Sequence, residues 1–121
     1  MRRKAGVLVP LEVDLLAASA ELRRSGQPEV HGYQLAKVVQ DVRGARRLTA
    51  YGTLYKALSR LERDHLLTSR WEDPQAAADE GRPRRRFYQL TLEGEGALSD
   101  ARAADSSSDV PIPRPAAMTV P

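Results

Sequence analysis

Residues 48–67 read LTAYGTLYKALSRLERDHLL, and the reading of this stretch decides the fold. It is a good helix former whose first turns nevertheless hold poor choices. Glycine costs about 1 kcal/mol relative to alanine in a helix interior, and threonine and tyrosine are middling formers. At about 100° per residue, Ala50, Leu54, Ala57, Leu58 and Leu61 share one face, which reads as core. Nearly opposite lie Gly52, Lys56, Ser59 and Arg63, with Thr53 and Arg60 on one shoulder and Tyr51 and Tyr55 on the other. The outer face carries no carboxylate: Glu62 lies on the tyrosine shoulder and Asp64 at the helix end. A solvated face ordinarily mixes both signs of charge, so this one suits a phosphate-bearing partner; the alternative is a plain surface turn. Gly52 would allow close backbone approach to a groove, and Thr49, Thr53 and Lys56 could reach base edges or phosphates.

Working outward, Thr49 is a plausible N-cap for this helix, read over 50–64. Before it, HGYQLAKVVQDV (31–42) spaces Leu35, Val38, Val39 and Val42 as a helix, and RGARRL is a short basic connection that supplies Arg46 and Arg47. Helix, basic turn and helix form the helix-turn-helix order, in which the second helix enters the major groove. Earlier still, Pro10 opens a helix whose apolar residues form two stripes, Leu11, Leu15, Ala18 and Leu22 against Val13, Leu16 and Ala20. Such a helix is either deeply buried or shared between the core and a partner subunit. SGQPE breaks it.

Downstream, TSRWED reads as a strand, AAADEGRP as a turn-rich loop and RRRFYQLTL as a second strand, so a two-stranded hairpin is expected to pack on the helices. Its tip gathers Arg82, Arg84, Arg85 and Arg86, placed for phosphate or minor-groove contact. Alternation leaves two options: with Phe87 inward Arg84 and Arg86 face out with Tyr88, and with Tyr88 inward the roles swap. EGEGALSDARAA can form a short last helix, weakened by Gly94 and Gly96. The domain is expected over 7–104, between a frayed basic segment (1–6) and a disordered, Ser/Pro-rich tail (105–121) with four of the eight prolines.

Composition excludes several classes. The chain of 121 residues fits one domain with a net charge of +3, and 16 of its 19 basic residues are arginine. Without cysteine there are no disulfides or thiolate metal sites. No apolar run approaches a membrane span. Pro10, Glu12 and Asp14 interrupt the apolar part of the N-terminal segment, which argues against a secretory signal, so a soluble cytoplasmic protein without membrane association is expected. Neither His31 nor His65 has carboxylates at metal-ligand spacing, and His31 is read as capping or packing at the start of helix two. No nucleophile–base arrangement or phosphate-binding loop is visible, so neither enzyme activity nor a cofactor or metal is expected.

HGYQLAKVV, TLYKALSRLE and the hairpin SRWED…GRPRRRFYQLTLEGEGAL together resemble the PadR family of bacterial winged-helix regulators, over about Leu11 to Leu98. The resemblance implies a mainly α, winged helix-turn-helix fold with three N-terminal helices, a two-stranded wing and a short C-terminal helix. It also implies a homodimeric repressor on a palindromic operator in double-stranded DNA, in a family many of whose members release DNA when a small phenolic or drug-like effector binds. Carried over by residue, Tyr33 and Tyr55 are DNA-proximal, Arg82 and Arg84 to Arg86 form the wing, and Gly94 marks the start of the last helix.

Three departures stand out. ELRRSGQPEV is longer than the family's usual connection, His65 stands where a glycine is common, and the long C-terminal dimerisation helix is nearly absent. Dimerisation would then rest on Leu11, Leu15, Leu16, Leu22 and Leu98, giving a weaker or differently built dimer. Trp71, on a hairpin strand, reads as core; an effector pocket, if there is one, should lie near it and helix one. The expected DNA-binding set is Tyr33, Arg46, Arg47, Thr49, Tyr51, Gly52, Thr53, Tyr55, Lys56, Arg60, Arg82, Arg84, Arg85 and Arg86. Competing readings are a winged-helix adaptor for an acidic protein partner and a nonspecific nucleic-acid binder.

Overall fold

Helix α1 (Pro10–Arg24) starts on its proline, and the Glu12 carboxylate turns back to accept the Val9 amide at 3.0 Å. Gly26, at φ +95°, lets the chain leave the helix by a turn that L residues avoid. The structure, a computed structural model, describes residues 7–44 and 49–109, the last five of them as backbone. The basic segment 1–6, Arg46, Arg47 and the residues beyond Asp109 lie outside that range.

A short strand β1 (Glu29–His31) follows, then α2 (Gly32–Arg43), α3 (Tyr51–Arg63), β2 (Leu67–Trp71), the small helix α4 (Pro74–Asp79), β3 (Arg86–Leu90) and α5 (Leu92–Asp109). The three strands form one antiparallel sheet in the order β1-β3-β2, with Val30 and Ser69 flanking Tyr88 in register. The wing is therefore not the expected two-stranded hairpin: Glu29, read as the end of a break, and His31, read as the start of helix two, belong to its third strand. A strap crosses it, because Arg70 of β2 donates two 2.8 Å bonds to Glu29 of β1 while lying 4.9 Å from the Phe87 ring between them. Helix α4, with Ala77 buried, sits in the stretch read as loop.

The core follows the helical stripes. Leu54, Ala57, Leu58 and Leu61 are fully buried, as the wheel of α3 requires, each leucine stabilising the fold by about 1.5–3 kcal/mol. Ala50, placed on the same face by the wheel, is exposed instead, because it is the N-cap and precedes the first turn. Thr49 is thus not the cap. Its backbone is clamped by the Gln40 side chain of α2, whose oxygen accepts the Thr49 amide at 3.0 Å and whose nitrogen donates to the Thr49 carbonyl.

Both stripes of α1 enter the core. Leu15, Leu16 and Leu98, expected at a dimer interface, are buried among this chain's own side chains. Leu11 and Leu22 keep partial exposure. Glu12, a charge in an apolar helix, is also fully buried, and its second oxygen accepts from Arg60 Nε at 3.0 Å, tying α1 to α3. Asp14 similarly holds Arg43 at the end of α2, at 2.6 Å.

Helix α5 is longer than expected, continuing to Asp109. The Thr91 hydroxyl accepts from the Gly94 amide at 2.9 Å and lies 2.7 Å from the His65 carbonyl, to which it donates. A Cβ at Gly94 would stand 2.1 Å from the Leu66 carbonyl, so only glycine permits this approach of α5 to the turn that leads into β2. His65 has φ +65°, the left-handed backbone that a glycine would adopt freely.

Candidate nucleic-acid interface

The outward face of α3 presents Gly52, Thr53, Lys56, Ser59 and Arg63, all exposed, with no acidic residue in the first turn. A Cβ at Gly52 would meet nothing within 4 Å, so the backbone there is open to a partner. Among the described residues Lys56 has no carboxylate partner, whereas Arg63 lies 3.7 Å from Asp64. Arg60 departs from expectation. Its Nε is engaged by buried Glu12, so this guanidinium braces two helices and its charge is largely compensated.

The tyrosine shoulder is built by three elements. Tyr33 of α2 stacks on Tyr51 of α3 at 5.7 Å between centroids, and the two rings are 57% and 40% exposed. Tyr55 is 38% exposed and lies against Gly32, where a Cβ would meet its Cε1 at 2.9 Å and that of Tyr88 at 3.2 Å. Gly32 in HGY is therefore small because two rings converge on it. Burial pushes the Tyr55 hydroxyl pKa up, with the neighbouring Tyr51 and Tyr33 adding to it. Tyr55 thus joins core to surface, while Tyr51 belongs mainly to the surface.

His31 ends β1 and caps α2, its Nδ1 accepting from the Gln34 amide at 3.2 Å. Desolvation by burial lowers its pKa, and the charges of Arg85 and Arg82 lower it further.

The wing resolves the alternation left open by the sequence. Tyr88 and Leu90 face the core, and Arg86 on their side reaches Ser69 Oγ at 3.0 Å and both Glu62 oxygens at 3.2 Å. Arg82 turns back: Glu72 grips it through bonds of 2.6 and 2.8 Å, and Glu80 accepts from its Nε at 3.0 Å. Those bonds hold the Glu72 carboxyl well below the usual range, at about 2, aided by the Arg85 amide. Arg82 and Arg86, expected as DNA contacts, are thus each paired with carboxylates of this chain. Arg84 and Arg85 stand exposed, with no carboxylate partner among the described residues. No sequence signal selects which arginine meets Glu72.

Trp71 is not core. It is 51% exposed, with the guanidiniums of Arg84 and Arg86 each 5.2 Å from its ring. Away from the wing, an open groove of about 850 Å³ runs between α1 and α5, lined in part by Leu8, Pro10, Val13, Ala97 and Ala101, and Trp71 takes no part in it. Among the described residues no group of three or more His, Asp or Glu could hold a metal, and no helix is long and apolar enough to cross a membrane.

Comparison with known proteins agrees with this architecture. The profile of the PadR-like transcriptional regulator family matches residues 22–100, more than half of the chain. Among solved structures, a PadR family transcription regulator from Clostridium difficile R20291 is 28% identical, with a TM-score of 0.57 over 79% of this chain and 88% of that one. One from Eggerthella lenta DSM 2243 is 26% identical, with a TM-score of 0.58 over 78% and 72%. A transcriptional regulator from Clostridium thermocellum shares the fold at 20% identity, with a TM-score of 0.63 over 80% and 83%. No curated protein matches the chain in sequence. The chain belongs to the PadR-like family of DNA-binding transcriptional regulators.

Proposed function

We propose that this regulator reads a specific duplex site and acts as a repressor, with α3 in the major groove and the wing on the flanking backbone. One observation carries the reading. A helix whose leucines are wholly buried offers Gly52, Thr53 and Lys56 outward with no carboxylate among them, and the wing adds two exposed arginines, Arg84 and Arg85, whose guanidiniums have no ion-pair partner among the described residues. Tyr33, Tyr51 and Tyr55 line the shoulder of that helix, suited to sugar and phosphate contact. Thr49, held beside the start of α3, belongs to the same surface. A homodimer would match a palindromic operator, using the partly exposed Leu11 and Leu22 of α1 together with α5; the length of α5 favours a firmer dimer than the sequence suggested. The α1–α5 groove would be the place for a small apolar effector.

Selection of binding sites from a randomised duplex pool with purified protein tests the reading, and a recovered palindrome is the expected result. Lys56→Ala should then cost about 1–3 kcal/mol on the selected site and much less on unrelated duplex. Arg84→Ala and Arg85→Ala should weaken all sequences alike, each flattening the salt slope by about 0.9. Failure to enrich any sequence, or an equal loss on all duplexes for Lys56→Ala, would refute specific readout.

A further inference from the structure

Trp71 is the sole tryptophan of the chain and stands half-exposed at the end of β2, directly across from Arg86. Its two arginine neighbours differ in what else holds them. Arg86 is fixed by Ser69 and Glu62, so its contact with the indole anchors the ring to the body of the wing. Arg84 is exposed and has no carboxylate partner among the described residues, so the indole is the group that orients it.

The chemistry of that support matters. A carboxylate orients a guanidinium and also cancels its charge, as Glu72 does for Arg82. An aromatic face orients the guanidinium plane while leaving its N–H donors free at the edge for another acceptor. Holding a long side chain in place beforehand also reduces the ordering it must undergo on binding.

We propose that Trp71 is a positioning residue that presents Arg84, fully charged, to the DNA backbone; this rests on the DNA-binding reading above. The test is binding of the selected duplex across a salt series by wild type, W71F, W71A, R84A and the W71A/R84A double variant. An exposed cation–π contact corresponds to about two- to five-fold in affinity, so W71A should weaken binding by that factor and W71F by less than about twofold. W71A should leave the salt slope intact, since Arg84 still reaches its phosphate, whereas R84A should flatten it by about 0.9. In the R84A background, W71A should have no further effect.

Equal losses from W71A in both backgrounds, or a phenylalanine variant as weak as the alanine one, would overturn the proposal. In the free protein R84A should alter the emission of the single indole, and unchanged emission would also overturn it. If wild type binds no duplex at all, the DNA-binding reading falls and the proposal with it. Because the emission measurement needs no DNA, the two failures are told apart. Unchanged circular dichroism and melting of W71A would exclude unfolding as the cause of its loss.

Discussion

Arg60→Ala separates two roles that the sequence could not. If Arg60 served DNA from the shoulder of α3, its removal would leave stability almost untouched. The structure instead places its Nε 3.0 Å from a carboxylate oxygen of Glu12, a residue with no exposed surface. Removing the guanidinium takes one charged donor from a buried carboxylate. Breaking a fully buried pair costs about 3–5 kcal/mol and losing one charge-assisted hydrogen bond about 1.5–3 kcal/mol. Because the Arg60 side chain is 34% exposed, water screens part of this interaction, and about 2–4 kcal/mol is expected. In a domain of this size that lowers the melting temperature by roughly 10–25 °C. Glu12→Gln should cost less, since its amide oxygen can still accept the Val9 amide and Arg60 can turn to solvent. The double variant should cost less than the sum of the single losses. Urea denaturation of the four proteins provides the cycle. An Arg60→Ala protein within about 0.5 kcal/mol of wild type, or strictly additive losses, would refute the brace.

Other perturbations follow from the same geometry. His65→Gly should raise stability by about 0.5–1 kcal/mol, a few degrees in a thermal melt, because the residue sits at φ +65° and its hydrogen bonds to Glu62 and Thr91 are made by backbone atoms. Gly94→Ala forces a Cβ to 2.1 Å from the Leu66 carbonyl and should cost about 3 kcal/mol or more, visible as a collapsed melting transition. The His31 pKa is lowered on folding, so the unfolded chain binds its proton first. Stability from this residue is complete above about pH 6.5 and is lost as pH falls from there through the folded value; His31→Asn, which keeps a capping acceptor, should remove that part of the urea-midpoint profile. Glu72, held at about 2 against an ordinary 4.5, contributes stability above about pH 4.5 that is lost as pH falls towards 2, and Glu72→Gln should flatten this acid limb.

The sequence was most readable where one physical signal repeats over several turns. The buried face of α3 could be drawn from Leu54, Leu58 and Leu61 because thirteen residues hold one period. Ala50 escaped because periodicity does not say where the first turn begins. Strand β1 escaped for a different reason. Three residues carry no period, and their partners Phe87 to Gln89 lie far along the chain, so only the folded sheet reveals them. Helix α4 is too short to outweigh the turn-forming residues around it. Among the candidate site residues, the outward set Gly52, Thr53 and Lys56 followed from the wheel alone, but the fate of each arginine did not. Arg60, Arg82 and Arg86 are claimed by carboxylates from α1, from the connection after β2 and from α3. One of these left a trace: Glu12 is an acidic residue three places into a proline-initiated helix and next to core leucines, a position that suits a buried acceptor.

The dual use of His31 fixes where this chain tolerates length change. The residue closes an edge strand of the wing and caps the following helix, so an inserted residue at 31–32 would unpair one or uncap the other. Residues 25–28, one step earlier, are exposed and turn through a left-handed glycine. Insertions, loop grafts or a circular-permutation break point belong there, where new chain extends into solvent and leaves the joint between helix pair and wing rigid.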